Sequence, residues 1–257
     1  MYPQPNRVKD KLSTGEPIVG SLTLLHEPAI GEILGGAGYD FLIIDMEHAG
    51  SDEQSVLAMV RACEAAGVTP LVRIRRIEEK EILWSLDTGA GGLVLPLVDS
   101  GADAQEVTRL MHYPPYGERT LCSAARAAGH GTMRHDFDAY LAWAERSTTS
   151  VCLVETPRGI SELDKIAAAG VDVVMIGRGD LSLKLGHGYA PQHPEVEAIS
   201  IEFARRVTAA GACAGILAYS VAEARKWIEH GYRFIVFSQP EMVLSNFYRD
   251  ARAELLA

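Results

Sequence analysis

The chain is poor in cysteine. Cys63, Cys122, Cys152 and Cys213 are the 4 cysteines in 257 residues, they lie far apart, and they form no CxxC pair. Each sits among apolar or small neighbours, so they read as buried free thiols in a reducing compartment rather than as a disulfide framework or a zinc site. Positive charge is also scarce, with 24 Lys and Arg against 34 Asp and Glu and a net charge of -10. No basic patch stands out, which argues against a nucleic-acid partner. An anionic ligand must therefore be held locally by an arginine, a metal or a helix N-terminus. No apolar run approaches the roughly 18 residues of a membrane span. The first residues, MYPQPNRVKDKL, are polar and carry two prolines, unlike a secretory or transit signal. A cytoplasmic protein with no membrane partner is expected. Linkers and low-complexity segments are missing, so residues 1–257 read as a single domain. There is no P-loop and no GxGxxG after a first strand.

What the chain does contain is an alternation of short apolar runs and longer amphipathic ones. Eight runs rich in Val, Ile and Leu are nearly continuous: Ile18–Leu22, Phe41–Asp45, Pro70–Ile74, Gly92–Pro96, Val151–Glu155, Val171–Ile176, Ala212–Leu217 and Phe234–Ser238. Such runs suit parallel strands buried on both faces. Helical periodicity fills the gaps at Pro28–Gly36, Asp52–Ala66, Glu78–Asp87, Ala102–Met111, Arg158–Ala169, Pro194–Ala210 and Val221–His230. Glycines at Gly38, Gly67, Gly89, Gly170, Gly211 and Gly231 close helices just before the next strand, as helix C-caps do. The repeated order of strand, helix, glycine and strand predicts a (β/α)8 TIM barrel, with a doubly wound open sheet as the competing arrangement. The longest irregular stretch, Tyr113–Thr132, is expected to be functional or mobile.

In such a barrel the active site lies at the C-terminal strand ends. Ionisable residues collect there. The second strand ends in Asp45–Met46–Glu47–His48, the third runs into Arg73, the fifth ends at Glu155, and the sixth leads through Gly177–Arg178–Gly179 to Asp180. A charge ending a buried strand is costly unless it is paired or bound to a metal. Each residue also has a plainer explanation. Asp45 or Asp180 caps a following helix, His48 is a solvated loop histidine, Arg73 opens a surface run with Arg75 and Arg76, and Glu155 is a first-turn acid. Four strand ends at once favour a site.

Carboxylates from neighbouring strand ends offer hard oxygen ligands, and no Cys or His pair has metal-ligand spacing. That suits Mg²⁺, Mn²⁺ or Co²⁺ rather than structural zinc. A 2-oxo acid can chelate such a cation, which stabilises the enolate formed when the C3–C4 bond breaks. Arg73 adds a second positive group at the same oxygen, and His48, oriented by Asp45, moves a proton. Gly177 and Gly179 let the backbone approach a ligand closely, and the helix starting after Asp180 offers N–H groups to a carboxylate. No lysine ends a strand at this rim, which disfavours a Schiff base.

At these residues the sequence resembles the HpcH/HpaI family of metal-dependent class II aldolases, over roughly Gly20 to Phe237. The resemblance is carried by Ile44–Asp45–Met46–Glu47–His48–Ala49, Val72–Arg73, Leu86–Asp87–Thr88–Gly89–Ala90, Tyr113–Pro114–Pro115–Tyr116–Gly117–Glu118–Arg119, Val154–Glu155–Thr156, Ile176–Gly177–Arg178–Gly179–Asp180–Leu181–Ser182 and Pro191–Gln192–His193–Pro194–Glu195–Val196, among others. It implies a barrel of the phosphoenolpyruvate/pyruvate-domain kind that reversibly cleaves 4-hydroxy-2-oxo acids to pyruvate, or a related 2-oxo acid, and an aldehyde. It implies Glu155 and Asp180 as metal ligands, Arg73 at the enolate, His48 with Asp45 at the proton, and Gly179 and Asp180 as backbone donors to the carboxylate. It also implies a homohexamer, a trimer of dimers, in which Asp87 reaches a neighbour's site.

Departures fall on the pocket wall. Gly177–Arg178–Gly179–Asp180 stands where the family has Gly-Pro-Ala-Asp, and Leu153, Leu22 and Thr120 replace the family's Gln, Trp and Gly. Arg178 has two roles open to it: binding an acidic substrate tail, or pairing with Glu155. Two other functions use the same residues. One is a decarboxylase or lyase acting on oxaloacetate or an acyl-CoA thioester, although no basic groove for a CoA diphosphate stands out. The other is a metabolite-binding barrel without turnover.

Overall fold

A computed structural model describes residues 5–257. Residues 1–4, the start of the stretch read as a polar N-terminus without a leader, lie outside the described residues. The described chain begins with helix α1 (Arg7–Thr14) and proceeds through β1 (Ile18–Thr23), α2 (Ala29–Gly36), β2 (Phe41–Asp45), α3 (Glu53–Ala65), β3 (Thr69–Arg73), α4 (Glu79–Asp87), β4 (Gly92–Leu95) and α5 (Gly101–Met111). An irregular stretch with 3-10 turns over Arg126–His135 precedes α6 (Phe137–Ser147) and β5 (Thr149–Val154). There follow α7 (Pro157–Ser161), α8 (Leu163–Ala167), β6 (Val173–Ile176), α9 (Arg178–Lys184), α10 (Pro194–Ala209), β7 (Cys213–Ala218), α11 (Val221–Glu229), β8 (Phe234–Phe237) and α12 (Pro240–Leu255).

The strands pair in parallel in sequence order, and β8 returns to β1, so the sheet closes into a barrel. The closed barrel removes the doubly wound alternative. The apolar runs are continuous because both strand faces are buried. Ile18, Phe41, Ile43, Leu71, Val151, Val173 and Phe234 fill the interior, while Leu42, Ile44, Val72, Leu93, Val174 and Ile235 pack outward against the helices. Within that interior Phe41 and Phe234 stack with ring centroids 4.2 Å apart. Gly20 lies beside Phe41 in the strand register, and a Cβ there would stand 2.3 Å from the Phe41 ring.

Four helices escape the periodicity argument, and one predicted helix divides. Arg158–Ala169 becomes α7 and α8, broken at Glu162. α1 is too short and polar to show an apolar stripe, yet it closes the N-terminal end of the barrel. Its N-cap Asn6 donates from Nδ2 to Gly91 O (2.8 Å) and Thr149 Oγ1 (3.1 Å), and Val8 is buried in the interior cluster. α6 follows the irregular stretch; α9 is treated with the site below. α12 buries none of its residues, leaving Met242, Val243, Leu244, Phe247 and Tyr248 exposed along it. Its start is held by Glu241, whose Oε1 accepts from Thr23 Oγ1 (2.8 Å) and the backbone N–H of Leu25 (2.8 Å). The cysteine expectation also needs correction. Cys63 and Cys152 are buried and Cys213 partly so, but Cys122 is exposed, because the irregular stretch after α5 runs over the surface.

The Gly20–Phe41 contact yields the first prediction. Gly20→Ala forces the Phe41–Phe234 stack apart and costs about 1–3 kcal/mol, as overpacking of a core does. Scanning calorimetry should show a melting temperature lowered by several degrees. An unchanged value would mean that the interior yields at no cost.

Candidate active site

The C-terminal strand ends surround a pocket of about 310 Å³ lined by His48, Arg73, Leu153, Glu155, Gly177, Arg178, Gly179, Asp180, Tyr189, Tyr219 and others. Its floor is set by one ion pair. Asp45, the last residue of β2, stands in register with Arg73, the last of β3. Asp45 Oδ1 accepts from Arg73 Nε at 2.8 Å and Oδ2 from Nη2 at 2.7 Å, a bidentate pair that also takes the Glu47 N–H at 2.9 Å. Asp45 is fully buried. Burial works against the Arg73 charge, but the hydrogen bond and charge of Asp45 outweigh it and hold the guanidinium protonated.

Three further carboxylates face this pair. Glu47 Oε2 lies 3.4 Å from Arg73 Nε, and burial raises the Glu47 carboxyl, with Arg73 opposing the shift and Asp45 and Asp180 adding to it. Glu155 follows β5 directly. Burial first, then Asp180 and Glu47, push its carboxyl up to about 7. A backbone hydrogen bond from Leu97 opposes that shift, and Leu97 adopts a left-handed φ of 53° just past β4. A non-glycine residue in that conformation costs about 1 kcal/mol or more, which the site tolerates. Gly177 is glycine because Glu155 leaves no room: an added Cβ would lie 2.7 Å from Glu155 Cβ and 2.8 Å from Oε2.

α9 begins earlier than the sequence suggests. Gly177 is its N-cap, Arg178 its first residue, and Asp180 stands within the first turn rather than before it. The first bond of this helix runs from Leu181 N to Gly177 O (3.0 Å), so the N–H groups of Gly179 and Asp180 have no partner within the helix. The periodicity argument missed α9 because seven residues make barely two turns.

Two expectations change. His48 is not oriented by Asp45, whose oxygens are taken by Arg73 and the Glu47 amide. His48 stands at the pocket mouth, 63% exposed, with Nε2 3.7 Å from Glu47. Arg178 pairs with neither Glu155 nor open pocket space. Its side chain runs outward, where Nη2 donates to Leu217 O (2.9 Å) and to Glu223, and its guanidinium lies 5.0 Å over the Trp227 ring. Asp87, at the end of α4, lies outside this pocket and accepts from Arg119 Nη2 at 2.8 Å. The sequence argument assigned no role to Glu47, although its place two residues after Asp45 at a strand end was the available signal. Tyr189 and Tyr219 were missed altogether: Tyr189 lies in the excursion after α9, and Tyr219, though it directly follows β7, carries no charge to flag it.

The donor set fits a hard divalent cation. Glu47, Glu155 and Asp180 crowd one another, and the charge of Arg73 is already matched by Asp45. The pocket therefore carries uncompensated carboxylates, with oxygen as the offered ligand atom.

Comparison with known proteins agrees with this geometry. Residues 22–241 match the family model described as HpcH/HpaI aldolase/citrate lyase. A hydroxypyruvate/pyruvate aldolase of Paraburkholderia phytofirmans is 36% identical over 257 residues, covering 97% of each chain. A 5-keto-4-deoxy-D-glucarate aldolase of Shigella boydii is 32% identical, over 90% of this chain and 89% of its own. A crystal structure of an HpcH/HpaI aldolase/citrate lyase family protein from Burkholderia cenocepacia superimposes with a TM-score of 0.91 at 35% identity, covering 98% of this chain and 100% of that one. The chain is thus a (β/α)8-barrel lyase, and it belongs to the HpcH/HpaI aldolase/citrate lyase family.

Proposed function

We propose that this protein is a divalent-metal-dependent aldolase that reversibly cleaves a 4-hydroxy-2-oxo acid into an aldehyde and pyruvate or a close relative such as hydroxypyruvate. The observation that carries the reading is a charged Arg73, locked by Asp45, beside the carboxylates of Glu155 and Asp180 in one pocket. Glu155 and Asp180 would hold Mg²⁺, Mn²⁺ or Co²⁺, which supplies Lewis-acid stabilisation of the enolate. The N–H groups of Gly179 and Asp180 take the substrate carboxylate. Arg73 points its guanidinium at the 2-oxo oxygen, where negative charge grows as the C3–C4 bond breaks. The proton of the C4 hydroxyl leaves toward His48, directly or through water, as the aldehyde forms. The enolate carbon is then protonated to give the 2-oxo acid.

That relatives are named hydroxypyruvate/pyruvate aldolases supports a pyruvate-type product. The closed wall around Arg178 supports an aldehyde without a second carboxylate at that point. We further propose a homo-oligomer, a hexamer built as a trimer of dimers. The apolar residues exposed along α12 support self-association, since a monomer rarely leaves such a face to water. In that assembly Asp87 would serve a neighbour's site.

Pyruvate release from a panel of 4-hydroxy-2-oxo acids and oxaloacetate, coupled to NADH oxidation by lactate dehydrogenase, tests the reaction. EDTA should abolish release and Mn²⁺ or Mg²⁺ restore it. Release from oxaloacetate alone would replace the aldolase with a decarboxylase, and no release from any substrate would favour a binding protein. Arg73→Lys, which keeps the charge but loses the bidentate fork, should lower kcat/KM by about a hundredfold or more with the circular dichroism spectrum unchanged. Full activity in this variant would remove Arg73 from the mechanism.

Protons compete with the cation at Glu155. Its folded carboxyl is raised to about 7, so the metal-free protein loses stability as pH rises from about 5 to 8 and the charge is forced into burial. Binding relieves that penalty. Calorimetric titration with Mn²⁺ should show the dissociation constant rising by about tenfold per pH unit below 7 for one displaced proton. A pH-independent affinity between 6 and 8 would place the ligand elsewhere. Light scattering should find an assembly larger than a monomer, and Phe247→Glu should shift it toward monomer; a wild-type monomer would overturn the oligomer.

A further inference from the structure

The excursion between α9 and α10 carries Tyr189 and Pro191 into the pocket wall. Its two ends are joined by side chains that play no part in the chemistry described above. His187 and His193 stack face to face, with ring centroids 3.6 Å apart and planes inclined by 13°. Glu195, in the first turn of α10, approaches the same place, and His187 Nε2 lies 2.6 Å from its Oε2. One ring nitrogen of each histidine and a Glu195 oxygen all lie within 4.8 Å of one another. None of the three lines the catalytic pocket.

We propose that His187, His193 and Glu195 form a second metal site, distinct from the catalytic carboxylates, that takes a borderline transition-metal ion of the Zn²⁺ class and staples the base of this excursion. The ligand chemistry separates the two sites. Two imidazoles and one carboxylate suit Zn²⁺, whereas the oxygen-only set at Glu155 and Asp180 suits harder cations. The spacing is close to what is needed. With zinc bonds of about 2.0–2.2 Å, tetrahedral ligand atoms stand about 3.3 Å apart, so the stacked rings need only splay and Glu195 only swing. A fourth position remains for water, because the cluster is solvent-accessible.

The consequence for the pocket comes from what the staple holds. Residues 188–192 form a closed loop above it, and Tyr189 leans over α9. A Cβ added at Gly179 would lie 2.9 Å from Tyr189 Cε2. Tyr219, which directly follows β7, lines the same pocket. Fixing the base of the excursion therefore fixes one wall of the pocket on the side away from Arg73.

The test uses untagged, full-length protein in which Glu155→Gln and Asp180→Asn remove the catalytic ligands. Equilibrium dialysis should find one Zn²⁺ per chain at micromolar concentration. Adding His187→Asn or His193→Asn should weaken that binding by at least about tenfold while circular dichroism stays unchanged. Co²⁺ in the same double variant should show the visible absorption of a nitrogen-ligated ion, lost with either histidine. No zinc in the double variant, or zinc indifferent to both histidines, would overturn the site. If a histidine variant fails to fold, zinc-edge anomalous diffraction from crystals of the unsubstituted protein decides. Density between His187, His193 and Glu195 supports the site, and density confined to Glu155 and Asp180 overturns it.

Discussion

The buried pair between Asp45 and Arg73 is the interaction on which the rim of this barrel is organised. Adjacent parallel strands end at the same level, which places a carboxylate and a guanidinium side by side where solvent is excluded. Breaking such a pair by removing one partner costs about 3–5 kcal/mol, because the survivor is left charged and unpaired. The bidentate geometry also fixes where the remaining donors of Arg73 point. A lysine could match the charge but not the direction.

Once Asp45 has matched Arg73, every other carboxylate at the rim is in excess. Burial first, and the neighbouring carboxylates after it, raise the proton affinity of Glu47 and Glu155. A folded protein keeps such a cluster only at some expense in stability, visible also in the left-handed backbone at Leu97 and in the glycine forced at position 177. Strain and charge crowding gathered in one pocket, while the barrel below is packed with aliphatic side chains, is the usual division of labour between a site and its scaffold.

The wall opposite Arg73 is built differently. Arg178 occupies a position suggestive of substrate binding, yet its guanidinium is held by Glu223, Leu217 O and the face of Trp227. The charge thus braces α9 against β7 and α11. The space it leaves is shaped by Tyr189 and Tyr219, side chains supplied by the excursions after α9 and β7. This wall can therefore change through loops that the barrel does not constrain, while the Asp45–Arg73 pair is kept.

Much of this was legible in the sequence. Eight aliphatic runs separated by amphipathic segments and glycine caps dictate parallel strands buried on both faces, because both periodicity and cap chemistry are local. The strand-end placement of Asp45, Arg73 and Glu155 was equally legible, since a charge after a buried run is costly without a partner. α1 was not legible, being too short and polar for a stripe; α9 was legible only as a helix start placed after Asp180; and α12 buries no face within the chain. Partner choice was not legible either. That Asp45 grips Arg73 and leaves His48 beside Glu47 depends on strand register. That Arg178 turns toward Glu223 depends on where α11 packs. Local sequence determined which elements form and which charges reach the rim; only the closed barrel decided which charges meet, because residues far apart in the chain come within hydrogen-bond reach only when the sheet closes.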